Sequence, residues 1–533
     1  MSAPATPTGR RHRRRQSRQQ SLIQKPHGGV SPRVQKVGPE HFGIVSVDCA
    51  KARSKWMLAD FYGNVLIPPT LVEHNQAGFA AAIGALRQAI AKHDIRDVIV
   101  AVERTGRYHH PVQRAYAAAG FEARTVHPFA TKQFRVPADP GVKTFGSGTV
   151  AAIHRAAVNG FALLEAQWDP SWRELQLLTR HRRDLVIKSS ILSCQIKEHL
   201  DAALPGYAAC FNNIWENQAA LRLALELGSA QGMLEVGIDG MSELLRKSQI
   251  RFQKRTLENV LKWAAQAAPP DVAANHHRRI ALALNNDRAQ KELEIQGLER
   301  QIAAGLVRTP YILLLSIPGI NVVSAAEYAA EMGPIRNYAN SRCITGRAGL
   351  YPCRYQSDQV DHPDGPLVRT ANHRLRFTIL QIADNLILCN RYFQGLVNTW
   401  KARGIDDPRD RHIRVGQRFS RISFHMVSGG GVFNHPCVKS RDYILQKLVL
   451  FYAEHQTPPD LMLIDLRAAT EQLPTNEHAA EAEALRKRCA PPPAPGERRT
   501  SGPQRLGVIL AELLVRLAGA VVQSGKSGPS DPM

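Results

Sequence analysis

The amino-acid sequence predicts a mixed α/β sheet domain followed by a long, mainly helical region. Two short apolar runs, 43–47 and 97–102, are each followed directly by an acidic residue and are typical of buried strands. Helical stretches lie between and after these runs, which indicates a mixed sheet. From 168 to about 306, apolar residues recur at a spacing of three to four, as expected of amphipathic helices.

The predicted elements of the sheet domain begin with a hairpin. The strand 43–47 is followed by a second strand over 55–61, which enters a turn at Gly63-Asn64. The later elements are predicted at 76–92 (helix), 97–102 (strand), 110–119 (helix) and 122–126 (strand).

The length of 533 residues predicts about three domains with additional tails. We expect 1–40, which is rich in Arg, Gln, Ser, Pro and Gly, to be a disordered basic arm. The sheet domain is predicted to cover 41–167, and a helical, coiled-coil-like spacer 168–306. A mainly helical domain is predicted over 307–470, followed over 471–533 by an extension of low order with one amphipathic helix.

The charge of the chain indicates an acidic polymer as its partner. Lys and Arg total 69 against 46 Asp and Glu, which gives a net charge of +23. Nucleic acid fits this charge because basic side chains release counterions from phosphates. An excess that only keeps the chain in solution is the alternative.

Cysteines and apolar segments point to a chain that stays inside the cell. The eight cysteines include no C-x-x-C pair, so we expect neither a zinc site nor a disulfide framework. No apolar run follows the basic cluster Arg10 to Arg15, and no stretch reaches the roughly 20 apolar residues that span a bilayer. We therefore expect no membrane partner and a cytoplasmic location.

Asp48 and Glu103 are the candidate metal ligands because each directly follows an apolar strand. If the two strands are neighbours, both carboxylates lie at one edge of the sheet. Oxygen ligands are what Mg²⁺ prefers, and such ions catalyse phosphoryl transfer in ribonuclease-H-like nucleases. Acidic residues also form turns and cap helices at such positions, which is the ordinary alternative.

Two further features lie in the helical region. Pro318-Gly319 forms a tight turn between two predicted helices, and such a turn can present backbone N–H groups to a phosphate. Ser357 stands close to several arginines, whose guanidinium groups suit the phosphoryl charge that a serine nucleophile generates. An ordinary helix connection and a turn serine are the alternatives.

Four motifs follow one another along the sheet domain: G-I-V-S-V-D ending at Asp48, A-V-E-R-T-G around Glu103, H-P-F-A-T-K-Q-F-R from His127 and A-A-I-H-R-A-A-V-N-G ending at Gly160. Their order resembles that of the DEDD transposases of insertion-sequence family one-hundred-ten, which are related to the Piv-type DNA invertases. The stretch around Ser357 also resembles this family closely. The resemblance covers about 42–470.

This resemblance implies a RuvC-like fold for the sheet domain and a serine transposase domain near the C-terminus. Asp48 and Glu103 would be the first two ligands of a D-E-D-D metal site, and Ser357 would be the nucleophile. The other two acids are expected after Lys143-Thr144 in a K-T-D-x-x-D pattern, but no carboxylate occurs from 140 through 164. A local frameshift or a decayed copy of the gene would explain their absence.

The resemblance also implies partners. They are DNA, a noncoding guide RNA and Mg²⁺. Further copies of the chain would form a dimer or tetramer, in which the composite site is assembled across subunits. The resemblance also implies a bacterial protein that is associated with the nucleoid. The residues expected to contact nucleic acid are Arg104, Arg107, Lys143, Pro318, Gly319, Arg354, Arg369, Arg374 and Arg376.

These observations predict a DNA transposase or site-specific recombinase that cuts and rejoins element ends through a serine-DNA intermediate. Three alternatives remain open at this point. The first is a decayed transposase that binds nucleic acid without reacting, and the second is a metal-dependent junction nuclease without a serine step. The third is an interaction protein whose charge is incidental.

Overall fold

A computed structural model describes residues 28–135, 147–165, 169–215, 217–357, 360–362, 365–438 and 442–488. The chain divides between residues 167 and 168 into two compact units. This division falls where the sequence predicts the end of the sheet domain.

The first unit contains a six-stranded mixed sheet with the strand order β3-β2-β1-β4-β5-β6. β1 pairs antiparallel with β2, and β2 pairs antiparallel with β3. β1 pairs parallel with β4, β4 parallel with β5, and β5 antiparallel with β6. The strands are β1 (Phe42–Cys49), β2 (Arg53–Asp60), β3 (Val65–Glu73), β4 (Asp97–Glu103), β5 (Glu122–Val126) and β6 (Ala162–Leu163).

Helices cover both faces of this sheet, so the central strands are buried on both sides and their apolar runs are nearly continuous. The helices are α1 (Ser31–Val37), α2 (Gln76–Lys92), α3 (His109–Ala118), α4 (Pro128–Gln133) and α5 (Ser147–Val158). On one face α2 and α3 pack against residues such as Val45 and Val100. On the other face α1 and α5 pack against Ile44 and Ile99. This arrangement confirms the predicted RuvC-like, ribonuclease-H-like fold class.

The prediction of a disordered arm over 1–40 is wrong for its last part. α1 lies within that range, and Val30 and Val34 are buried in the core of the α5 face. Arg33 donates hydrogen bonds to Asp97 at 2.7 and 2.5 Å, which tie the helix to the start of β4. The arm is mostly polar, so its composition did not indicate that a few apolar residues are buried.

The second unit is helical apart from a two-stranded hairpin, in the parts that the structure describes. Its helices are α6 (Pro170–Ala203), α7 (Gln218–Leu227), α8 (Ala230–Lys247), α9 (Lys254–Ala264), α10 (Ala274–Leu306), α11 (Val322–Met332), α12 (Ser341–Ala348), α13 (His373–Cys389), α14 (Arg391–Ala402), α15 (Pro408–Gly429), α16 (Ile444–Glu454), α17 (Pro459–Gln472) and α18 (Thr475–Arg488). The hairpin consists of β7 (Tyr355–Ser357) and β8 (Val360–His362). Across the described ranges, no helix combines the length and the apolar character needed to cross a bilayer.

The second unit has two hydrophobic cores. One core lies in the far part of the spacer and includes Ile196, Leu223 and Leu257. The other core combines Leu175 and Ile302, from the near parts of α6 and α10, with the helices of the C-terminal region. The long spacer helices therefore belong to both cores.

Ordered helix continues beyond the predicted limit of 470. The carboxylate of Glu481 on α18 accepts hydrogen bonds from the backbone N–H groups of Ile444 and Leu445, both at 3.0 Å. The first N–H groups of a helix have no partner within the helix, and Glu481 of α18 accepts hydrogen bonds from two of them in α16. The predicted helix near 507–522 lies outside the described residues.

Candidate catalytic site

Asp48 and Glu103 lie side by side at the end of the sheet where β1 and β4 finish. In the parallel pairing Val47 is opposite Val102. Asp48 and Glu103 are the next residues of the two strands, so they lie opposite each other. Because side chains alternate along strands, both acids point to the face that α5 covers, with Ile44 and Ile99. Their exposed fractions are 8 % and 4 %, so both carboxylates are nearly buried.

Cys49 is the residue after Asp48 on β1, and both acids affect the pKa of its thiol. Burial raises the pKa of the Cys49 thiol to about 12, and the negative charges of Asp48 and Glu103 add to the rise. The thiol is therefore protonated at neutral pH and remains a buried apolar group.

The N-terminal end of α5 lies toward these acids. Val150 packs against Met57 and Ala59 of β2, and the Nε2 of His154 donates a hydrogen bond to the Asp60 carbonyl at 2.8 Å. In the β1–β2 pairing Met57 is opposite Ser46 and Asp60 is opposite Gly43. The helix therefore runs from the acidic end of β1 toward its beginning.

Gly148 is the second residue of α5 and stands where K-T-D-x-x-D spacing requires the last acid. It is exposed, and a Cβ added to it would meet no atom of the described residues within 4 Å. The space for a side chain is present, but this chain has no carboxylate there. Lys143, the expected nucleic-acid contact, and position 145 of the same pattern lie outside the described residues.

Basic side chains surround the same edge. Lys55 on β2 is the pairing partner of Asp48, and the sequence analysis did not single it out. Its position on the acid's face follows from alternation along β2, once the register is known. Arg104 and Arg107 are exposed in the loop after β4, as expected of phosphate contacts, and the Arg104 N–H donates to the Val126 carbonyl at 2.9 Å.

The Pro318-Gly319 turn of the second unit connects a 3-10 helix, Pro310–Ser316, to α11. Gly319 has a φ of +96°, which favours glycine. The Nζ of Lys447 donates to the carbonyls of Ile317 and Ile320 at 3.1 and 2.6 Å. Lys447 therefore fixes the turn through the carbonyl groups on either side of it.

Ser357 ends β7 and is opposite Val360 in the hairpin. Its side chain is exposed, so a large substrate can reach the hydroxyl. Arg354 donates to both carboxylate oxygens of Asp361 at 2.9 and 2.5 Å across the base of this hairpin. The guanidinium group that was expected to contact phosphate is thus held in an exposed ion pair with Asp361, the pairing partner of Gln356.

The three arginines after the hairpin differ in their surroundings. Arg369 and Arg374 are exposed, and a nitrogen of Arg374 lies 4.0 Å from an oxygen of Asp184. Arg376 is half-buried and donates to the carbonyls of Ala348, at 2.8 Å, and Val368. Arg376 thus has a structural role in joining α13 to the segments before it.

Family models match both units of this chain. A model described as a transposase of the DEDD IS110 type matches residues 45–205. A second model, described as "Transposase IS116/IS110/IS902 family", matches residues 311–398, which include the Pro-Gly turn and Ser357. A search of curated proteins gives no match. The acidic strand ends, the six-stranded sheet and the two matches in this order lead to one conclusion: the chain belongs to the IS110-type transposases.

Proposed function

We propose that this chain cuts and rejoins DNA at the ends of an insertion element through a covalent serine-DNA intermediate. The observation that supports the proposal best is the placement of Asp48 and Glu103 on adjacent parallel strands, at one end and on one face of the sheet. Paired carboxylates at such an edge are suited to phosphoryl-transfer chemistry. The transposase family supplies the coarser activity, DNA transposition.

The Asp48–Glu103 edge fits Mg²⁺ as its metal. Mg²⁺ is bound in proteins by one or two carboxylates, with waters and substrate phosphates completing its shell. When bound, the ion would neutralise the charge that develops on the phosphoryl oxygens. Arg104, Arg107 and Lys55 would hold the DNA backbone at the same edge.

The proposed reaction of Ser357 is a phosphoryl transfer. The Oγ of Ser357 forms a bond to a DNA phosphorus as the bond from that phosphorus to the leaving deoxyribose oxygen breaks. The proton of Oγ is lost to a base, and the leaving oxygen gains one. Exposure of the hydroxyl supports this assignment. Rejoining is the reverse reaction with another strand end.

The net charge of +23 supports nucleic acid as the partner, and a guide RNA is compatible with the same basic surfaces. We therefore propose DNA as substrate and a noncoding RNA as the second partner. Strong binding at low salt that weakens steeply as salt rises is expected for either polymer.

A second candidate function is supported by a specific observation. Gly148 stands where the family pattern requires an acid, so the metal site has fewer carboxylates than the D-E-D-D set. A decayed transposase that folds and binds nucleic acid without reacting would have this composition. A junction nuclease that lacks the serine step is a third possibility, and it would form no adduct.

The test is an excision assay in cells that carry the protein and its flanking element DNA. Circular junctions detected by amplification are expected with the wild-type chain and with Ser428→Ala, which removes an exposed hydroxyl on α15. Ser357→Ala should give no junctions while binding nucleic acid normally. If Ser357→Ala gives junctions, the assignment of Ser357 as the nucleophile is refuted. If the wild-type chain binds nucleic acid but gives no junctions, the chain is a decayed copy.

A further inference from the structure

His109, His110 and Glu165 form a cluster in the first unit that the proposed reaction does not use. The potential ligand atoms of the three side chains all lie within 4.8 Å of one another. His109 is the first residue of α3, and Glu165 follows β6. The cluster therefore joins two segments that are far apart in sequence.

His109 is a buried histidine at the start of α3. The residue is 1 % exposed, and neither of its ring nitrogens has a hydrogen-bond partner among the described residues. The backbone of Thr105 approaches the ring closely enough to favour protonation slightly, but not in hydrogen-bonding geometry. A buried imidazole with both nitrogens unpaired is unfavourable, and binding of a metal ion by one of them removes that cost.

The rings of the two histidines turn toward each other. Their centroids are 4.1 Å apart, although consecutive residues of a helix do not ordinarily face one another. Burial lowers the pKa of His109, His110 lowers it further, and Glu165 opposes both effects. The His109 ring is therefore neutral at neutral pH, which is the form that coordinates metals.

We propose that His109, His110 and Glu165 bind one first-row transition-metal ion, and that Zn²⁺ fits this donor set best. Two imidazole nitrogens with one carboxylate oxygen make a three-ligand set typical of zinc, with a fourth position left for water. The Asp48–Glu103 pair offers only oxygen and suits Mg²⁺, so the two sites share neither residues nor preferred ion. The ion would fix the start of α3 to the segment after β6.

The experiment measures metal binding by the full-length chain in excess Mg²⁺, which occupies oxygen-ligand sites. Metal-free wild-type protein, His110→Gln and Glu165→Gln are titrated with Zn²⁺, and Co²⁺ is used as a spectroscopic probe. His276→Gln is the matched control because this exposed histidine lies on α10, outside the cluster. Both tested side chains are at least partly exposed, so these variants should fold.

We expect the wild type and His276→Gln to bind one more Zn²⁺ per chain than the other two variants. Affinity at this site should fall at least tenfold in His110→Gln and Glu165→Gln, with loss of the Co²⁺ absorption bands. Equal stoichiometry and equal spectra in all four proteins would overturn the proposal.

A second readout needs no substitution. Zn²⁺ should slow amide hydrogen exchange of the wild-type chain in residues 104–112 and 162–165, because the ion links these segments. Unchanged exchange in both segments would overturn the proposal independently of how the variants fold.

Discussion

Introducing an acid at Gly148 is the sharpest test of the proposed metal site, and the described residues allow it without repacking. Gly148 lies in the first turn of α5, and its φ lies outside the left-handed range. A Cβ there meets no atom within 4 Å, so Gly148→Asp should fit. The N-terminal end of α5 lies toward the end of the sheet that carries Asp48 and Glu103, so the new carboxylate should approach both.

Two opposing effects set the stability of Gly148→Asp without metal. Removing glycine from a helix and placing an acid in its first turn together contribute about 0.5–1.5 kcal/mol. Repulsion from Asp48 and Glu103 acts against this gain. Mg²⁺ removes the repulsion, and a tenfold gain in Mg²⁺ affinity would add about 1.4 kcal/mol to the unfolding free energy at saturation.

The assay is denaturant unfolding of each variant over a series of Mg²⁺ concentrations. Gly148→Asn is the matched neutral control, because it has nearly the same shape without the charge. Gly84→Asp adds an acid to α2, which packs on the opposite face of the sheet, where a Cβ also meets no atom within 4 Å. If Gly148→Asp and Gly148→Asn respond equally to Mg²⁺, the acidic edge does not bind the ion in the way inferred.

Three further predictions concern the second unit. Burial raises the pKa of Glu331, but hydrogen bonds from Arg180 and Asn372 outweigh it and the net pKa is lowered. Glu331 therefore contributes stability that is lost as pH falls below the ordinary glutamate pKa, and Glu331→Gln should flatten the acid side of a stability profile. Lys447→Met should lower the unfolding free energy by about 1–3 kcal/mol in denaturant titrations, because it removes charged hydrogen bonds to the Pro-Gly turn. Asp361→Asn should strengthen DNA binding severalfold at low salt if Arg354 contacts phosphate, and unchanged binding would assign that arginine to the hairpin alone.

Periodicity in the sequence was enough to predict much of the sheet domain. The helix predicted over 76–92 is α2, and the strand predicted over 122–126 is β5. β3 was not predicted, because it is an exposed edge strand whose apolar residues are interrupted by Pro68-Pro69, and proline within a run argues against a strand. The buried part of the N-terminal arm was missed for a similar reason, since two valines in a polar stretch give no periodic signal.

The candidate site was predictable only where residues share a strand end. The positions of Asp48 and Glu103 followed from two apolar runs, but their adjacency depends on the pairing of β1 with β4, which the sequence does not encode locally. The position of Lys55 next to Asp48 could be recognised only from the β1–β2 register. The roles of the arginines after Ser357 could not be predicted from the sequence either. Whether a guanidinium group is free to bind phosphate or donates to a carbonyl, as that of Arg376 does, depends on its tertiary neighbours.

The absence of carboxylates over 140–164 and the folding of the sheet domain are compatible, because they depend on different residues. α5 is held on the sheet by Val150 and Ile153, which are fully buried, and by the hydrogen bond from His154. None of these contacts involves Gly148, whose side-chain space is open. Measurements of folding or of nucleic-acid binding therefore cannot separate an active transposase from a decayed one. In the proposed mechanism formation of the serine-DNA bond does so, and an increase in that bond in Gly148→Asp would show that a missing carboxylate, and not a damaged fold, limits this chain.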